Sequence, residues 1–313
     1  MNWFRSRARS RSHAVLSPIA GGAAALRVRD DGERVHVLAF ARRENLPVER
    51  GVQAVFEDML RQLAADAEIK DAPLISLLDQ ESYQTVMVEA PNVPDDEIRS
   101  AIRWKVKELL SFHIDDAVLD HLPVPGGGGR AASLYVVAAQ ANSIRALAQP
   151  YQAAGLQLEV IDIRETAQHN LAMQFSPADY AIAVLHFDGD NALLTFSFGP
   201  SLIMSRRIEG RGASGENLLD RVAMETQRSV DYFERQYSWF PLAKLYLAPT
   251  EQAKALLRRL GEYLPIGVDN LDLTRIFDFD AQLDADAQAR WRDVKTLNAA
   301  FHLLGASLRG RLP

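Results

Sequence analysis

Five residues between positions 113 and 121 have the types that bind metal: His113, Asp115, Asp116, Asp120 and His121. Imidazole nitrogens and carboxylate oxygens are the usual protein ligands of zinc and related ions. The segment reads as extended, however, and successive side chains of an extended chain point to opposite faces, so the five groups are scattered rather than convergent. An acidic, solvated segment accounts for them without a metal. The run Gly126 to Gly129 with Arg130 has the glycine content of a phosphate loop, but a phosphate cradle needs a helix N-terminus directly after the glycines and usually a lysine. Here the glycines join two extended segments, and a flexible hairpin turn is expected. Ser214 lacks the spacing of a nucleophile elbow and is better placed as the N-cap of the helix that follows. With no cysteine in the chain, thiolate nucleophiles, thiolate metal sites and disulfides are all excluded. No catalytic residue and no metal ligand is assigned, and the residues of any cofactor site stay unassigned.

The elements that would position such groups are easier to read. Three short strands are expected around Val15 to Ile19, Ala23 to Val28 and Arg34 to Phe40, with a helix from about Glu49 to Ala67 and an apolar strand from Leu74 to Leu78. A second unit follows: strand Gln84 to Glu89, helix Asp95 to Leu110, strand Ala117 to Val124, strand Ser133 to Ala139 and helix Asn142 to Ala154. In that first helix the acids Asp95, Asp96 and Glu97 precede Lys105 and Lys107, a polarity that suits the helix dipole. Ile98, Ala101, Ile102, Val106, Leu109 and Leu110 recur at three- and four-residue spacing, so this face should pack on a sheet. Gln157 to Asp162 and the helix Arg164 to Gln174 return to the first unit.

The opening pattern then recurs. Strands Ala181 to Phe187, Ala192 to Phe198 and Leu202 to Ile208 precede a long amphipathic helix from about Gly215 to Tyr237, which implies internal duplication of topology. Strand Lys244 to Leu247, helix Glu251 to Leu260, an extended piece Ile266 to Val268, an acidic surface segment Asp278 to Asp286 and a last helix Thr296 to Leu308 complete the chain. This is an α/β protein with a basic tail over residues 1–13, a first lobe over 14–175 holding an inserted subdomain at about 80–155, and a second lobe over 176–313.

A net charge of −6 over 313 residues argues against a broad nucleic-acid surface, which needs an excess of Lys and Arg. No apolar run approaches the roughly 20 residues that span a bilayer. The tail carries Arg5, Arg7, Arg9 and Arg11 with no acid, behind Trp3 and Phe4. It is expected to be disordered, with two readings: a contact with anionic lipid, or a solvated terminus of no function.

Three segments carry a resemblance: VPDDEIRSAIRWKVKELLSFHIDDAVLDH (Val93 to His121), ETQRSVDYFERQY (Glu225 to Tyr237) and LNAAFHLLGASLRG (Leu297 to Gly310). In their order and spacing the chain resembles the PilM-like proteins of type IV pilus assembly, most closely the MshI family of mannose-sensitive haemagglutinin (MSHA) pilus biogenesis. The resemblance implies an actin-like (ribonuclease H-like) two-lobed ATPase fold with an inserted strand-helix-strand subdomain in the first lobe.

It further implies a cytoplasmic protein, peripheral on the inner membrane, that binds the short cytoplasmic tail of a PilN-like membrane protein in a groove of the first lobe. ATP-binding members place an Asp and small residues in the first hairpin of each lobe, and a Gly-Gly pair after a later strand. Here Ser17 to Val28 has no acid, and His186 stands at the second Asp position with Asp188 and Asp190 close enough for a shifted register to restore one. Ala248, Pro249 and Thr250 follow Leu247 where glycines belong. The expectation is a scaffold with a degenerate nucleotide site, no enzyme activity and no cofactor. An ATPase or nucleotide-gated switch of the same machinery is the alternative. A GspL-like component of type II secretion ranks lower, since that family continues into a transmembrane helix and this chain stops at Pro313 without one.

Overall fold

The computed structural model describes residues 11–19, 21–44, 52–69, 72–94, 96–177, 179–279, 283 and 285–311. Strands β1 (Arg11–Ile19), β2 (Gly22–Asp30) and β3 (Val35–Glu44) form an antiparallel meander, followed by α1 (Val52–Asp66) and β4 (Leu74–Leu77), which pairs in parallel with β1. The insert comprises β5 (Tyr83–Glu89), α2 (Ile98–Val106), β6 (Ala117–Val124) and β7 (Ser133–Gln140). Helix α3 (Ala141–Ala153), β8 (Leu158–Asp162) and α4 (Arg164–Met173) lead back, β8 closing the sheet in parallel beside β4.

The second half repeats the plan. Strands β9 (Ala181–Asp188), β10 (Asn191–Phe198) and β11 (Ser201–Glu209) form a second antiparallel meander, then come α5 (Gly215–Gln236), β12 (Leu242–Leu247), α6 (Ala253–Tyr263) and β13 (Gly267–Asn270). The sheet order is β11-β10-β9-β12-β13, and both β12 and β13 run parallel to their neighbours. The duplication of topology expected from sequence is therefore present.

Period-two burial shows how each sheet is covered. In the first, Val15 and Ala24 face the core shared by the two lobes while Leu16, Ala23 and Ala25 face α1 and α3. In the second, Ile182 and Val184 join the shared core while Ala181, Ala183 and Leu185 pack with Val222 and Phe233 of α5. Strands buried on both sides read as near-continuous apolar runs, which is why they were legible.

The end of the chain departs from the expected second lobe over 176–313. Strand β14 (Phe277–Asp278) pairs in parallel with β3 of the first sheet. After α7 (Ala285–Trp291), the last helix α8 (Val294–Ser307) packs on β1, β2 and β4 and against α4. Helices α4 and α8 thus fill the space between the sheets, and their crossing is tight: a Cβ on Gly305 would stand 2.1 Å from the Ala167 carbonyl oxygen. Phe301 and Leu304 are buried there because this is the interlobe core rather than an outer layer.

Two other boundaries moved. Strand β1 begins at Arg11, so Arg11, Ser12 and His13 belong to the sheet and not to the expected tail. The register Arg11↔Asp30, Ser12↔Arg29 is a backbone ladder, which polar residues can join as well as apolar ones. Trp3, Phe4, Arg5, Arg7 and Arg9 lie outside the described residues. Helix α2 is shorter than Asp95 to Leu110; Ile102 and Val106 are buried as expected, but Leu109 is 53% exposed beyond the helix end.

The insert sheet has the order β5-β7-β6. One face carries α2 through Val88, Ile102, Val106 and Val136; Val124 and Tyr135 join the core of the second lobe. The Gly126 to Gly129 turn is not a loose hairpin: Gly127 and Gly128 lie against the ring of Trp239, beside which Arg130 stands 5.6 Å from the ring centroid. Among the described residues no helix is long and apolar enough to cross a membrane.

Candidate functional site

The concave regions of this architecture include the cleft between the lobes and a groove along the insert. The cleft forms where strand ends of both sheets converge over α4 and α8. It contains a cavity of about 290 Å³ bordered by Pro18, Ile19, Asp79 and Arg164 on one side and His186 and Asp188 on the other, with Asn298 and His302 beneath. A neighbouring cavity of about 410 Å³ shares Arg42, Asp188 and Asn298 with it.

The floor is a set of neutral, buried imidazoles. His186 stacks on Phe301 with centroids 4.7 Å apart and meets His302 edge-on at 4.5 Å. Burial pushes His186 down to about 4, with Arg164 adding to the effect, and holds His302 well below the usual imidazole range. Each ring therefore donates from one nitrogen, His186 Nε2 to the Asn298 carbonyl at 3.3 Å and His302 Nε2 to Gln168 Oε1 at 3.3 Å. Nearby, His169 is lowered to about 4 by burial, donates from Nε2 to the Pro200 carbonyl and accepts at Nδ1 from Ser197 Oγ at 2.8 Å.

The carboxylate question at the second hairpin has a geometric answer. Strand β9 runs through His186 to Asp188 before the turn at Gly189, so both side chains border the cleft: the imidazole is sunk into the core and the carboxylate stands at the rim. At the first hairpin the cleft is met by Pro18 and Ile19. Gly22 is required there because a Cβ would stand 1.9 Å from the Arg43 carbonyl oxygen, a strand-packing constraint rather than a phosphate cradle.

The fit to a metal-bound nucleotide is poor on these residues. Asp79 and Asp188 come from opposite lobes, and among the described residues no cluster of three His, Asp or Glu could hold a metal. Beyond β12, Asn298 Nδ2 donates to the Pro249 carbonyl at 2.7 Å and to the Phe187 carbonyl at 2.9 Å, tying α8 to the ends of both strands. Of the cations at the cleft, Arg42 is held by Glu44 at 2.5 Å, while Arg164 makes no hydrogen bond or ion pair among the described residues.

The groove is built differently. Among the described residues strand β5 is an edge of the insert sheet, with a strand partner on one side of its backbone only. Tyr83, Gln84, Thr85 and Val86 border a depression of about 500 Å³ together with Leu109, Leu110, Ser111, Ser205 and Arg207. Four consecutive strand residues alternate between two faces, so what they share is the edge; the groove runs along it.

Beneath the groove lies a buried charge pair. Glu165, fully buried at the start of α4, accepts from Arg207 Nε at 3.2 Å and Nη2 at 3.1 Å, and from the Tyr83 hydroxyl. The Arg207 guanidinium lies 4.5 Å from the Tyr83 ring centroid. Burial and the Glu165 charge raise the Tyr83 phenol well above its usual range. One residue each from the first lobe, the insert and the second lobe meets here. The groove thus has a fixed polar base and a partly apolar wall, suited to holding an extended chain by backbone and side-chain contacts.

The residues that sequence singled out for chemistry are not brought together. His113 and Asp115 lie 3.5 Å apart but are 68% and 80% exposed at the side chain, and Asp120 and His121 lie along β6. Ser214 occupies the N-cap of α5, yet its side chain makes no capping hydrogen bond. Sequence reasoning missed Glu165, Arg207 and Tyr83. An acid in the first turn of a helix reads as solvated; here Tyr83 of the insert and Arg207 of β11, both distant in sequence, close over it.

No family model matches the chain, and no curated protein matches it. Solved structures do. A PilM-PilN type IV pilus biogenesis complex superposes with a TM-score of 0.76 at 17% identity, covering 96% of this chain and 99% of that one. A Bacteroides thetaiotaomicron protein described as having an actin-like ATPase fold and unknown function gives 0.51 at 8% identity, over 90% and 97%. The cytoplasmic domain of EpsL, an inner membrane component of the Vibrio cholerae type II secretion system, gives 0.49 at 12% identity, over 94% and 95%. At such identities the likeness establishes the fold, which is actin-like.

Proposed function

We propose that this protein is a non-enzymatic scaffold of a type IV pilus assembly platform, of the PilM-like kind and closest to MshI. It sits on the cytoplasmic side of the inner membrane and captures the cytoplasmic tail of a PilN-like membrane protein. The observation that carries the reading is the groove along the free edge of β5, walled by Leu109, Leu110 and Arg207 and backed by a rigid three-way junction. An extended tail would add along the strand edge and set its side chains into the walls. The neighbour that is itself a PilM-PilN complex is consistent with this reading. The nucleotide cleft contributes structure: its imidazoles are neutral and buried, and Asn298 ties the ends of β9 and β12, both on its second-lobe side, to α8.

A nucleotide-gated switch is the second reading, favoured by Arg164, whose side chain borders the cleft with no hydrogen bond or ion pair among the described residues, and by Asp188 at the rim. Titration of the full chain with a peptide copied from the partner's cytoplasmic tail tests the scaffold, and calorimetry with magnesium and ATP tests the switch.

A further inference from the structure

Trp104 is 79% exposed, well above the other large hydrophobic side chains at the surface. It lies on α2, whose buried side is formed by Ile102 and Val106. At 3.6 residues per turn, Ser100, Arg103, Trp104 and Lys107 share the other side, and they border one depression. Arg103 is fixed to its own subdomain, with Nη2 donating to the Ile114 carbonyl at 2.8 Å and the guanidinium 3.6 Å from Asp115. The Lys107 side chain makes no hydrogen bond or ion pair among the described residues. The acids nearby are Asp96 and Glu97 before the helix, Glu108 one turn beyond Trp104, and Asp115; from Ile98 to Lys107 there are four cations and no acid.

We propose that this face of α2 is a contact site for an anionic bilayer surface, with the indole at headgroup depth and Lys107 on a lipid phosphate. An indole with an apolar body and a single N–H donor is at its most stable in that interfacial zone, and cations flanking it complement anionic headgroups. A chain of net charge −6 is repelled as a body from such a surface, so a local cationic and aromatic patch fixes which side approaches. The side chain protrudes, 79% exposed, beside a depression of about 410 Å³ that it borders with Ser100, Arg103, Lys107 and Ile114, so the indole and its neighbouring cations share one surface. The contact stands apart from the Arg-rich tail and does not depend on the scaffold reading. It has a consequence for that reading: the groove wall begins at Leu109, so it would lie beside the surface from which a membrane protein's tail emerges.

The test uses the full chain and vesicles of phosphatidylcholine with about one-third phosphatidylglycerol, carrying brominated acyl chains that quench tryptophan. Trp104→Phe should remove most of the quenching while holding affinity within about twofold, since the apolar contact remains. Trp104→Ser should weaken binding about tenfold, Lys107→Gln about fivefold, and rising salt should weaken all of them. Trp104 is too exposed for these changes to unfold the protein. Wild-type affinity in Trp104→Ser would overturn the proposal. So would quenching that disappears with Trp3→Phe instead, or a Trp104 emission change with polyglutamate and none with vesicles.

Discussion

A Cβ on Gly127 would stand 2.2 Å from Cδ1 of Trp239, so the insert hairpin and the second lobe meet with no room for a side chain. Arg130 extends the contact by donating to Gln236 Oε1 at 3.1 Å. Gly127→Ala should therefore cost about 1–3 kcal/mol by overpacking and open the hairpin to proteolysis at Arg130. Gly129→Ala, at φ +81 in open space, should cost only about 1 kcal/mol of backbone strain and leave the hairpin protected. Urea unfolding with limited digestion separates the two.

Glu165 offers a second test of the junction. Breaking a buried pair costs about 3–5 kcal/mol, but the Arg207 side chain is 34% exposed and water offsets part of its loss, so Glu165→Gln should cost about 1–3 kcal/mol. The double variant Glu165→Gln, Arg207→Met should recover part of that, because no charge is then left unpaired. Urea midpoints of the two variants check the difference.

The buried histidines set a pH dependence. His169 and His186 titrate near 4 in the folded protein against about 6.5 unfolded, so the unfolded chain binds more protons between those values. Stability should be full above about pH 6.5 and fall as pH drops towards 4, by at most about 1.4 kcal/mol per pH unit for each histidine. Urea unfolding at stepped pH reads the slope, which His169→Gln should reduce by up to one proton.

Much of this was legible because buried strands and amphipathic helices write their period into sequence: the bounds of β6 were read to the residue, and those of β7, α4 and β9 to within one. The return of the chain to the first lobe was not. Strand β14 is two residues long and pairs with a strand some 240 positions earlier, which no local pattern encodes. The glycine run looked flexible because its partner, Trp239, lies over a hundred positions away. Leu109 kept the helical spacing but fell past the end of α2, where it walls the groove instead of filling the core. At the site, the missing acid of the first hairpin could be read directly, while the placement of His186 and Asp188 on one cleft-facing side, the first buried and the second at the rim, needed the strand and its end.

The cleft yields a nucleotide prediction. Calorimetric titration with ATP and magnesium should give no saturable heat up to about millimolar concentration, a ceiling near 4 kcal/mol of binding energy. Micromolar binding that Arg164→Ala abolishes would move the protein to the switch reading.

The scaffold claim rests on the groove. Leu109→Glu places a charge on its apolar wall at an exposed position, and should weaken tail binding about tenfold or more without loss of stability. The decisive measurement is calorimetric titration of the full chain with a synthetic peptide of the PilN-like partner's cytoplasmic N-terminus. Saturable binding with a Kd at or below about 10 µM, lost in Leu109→Glu, is the predicted result; no binding at several hundred micromolar would contradict it.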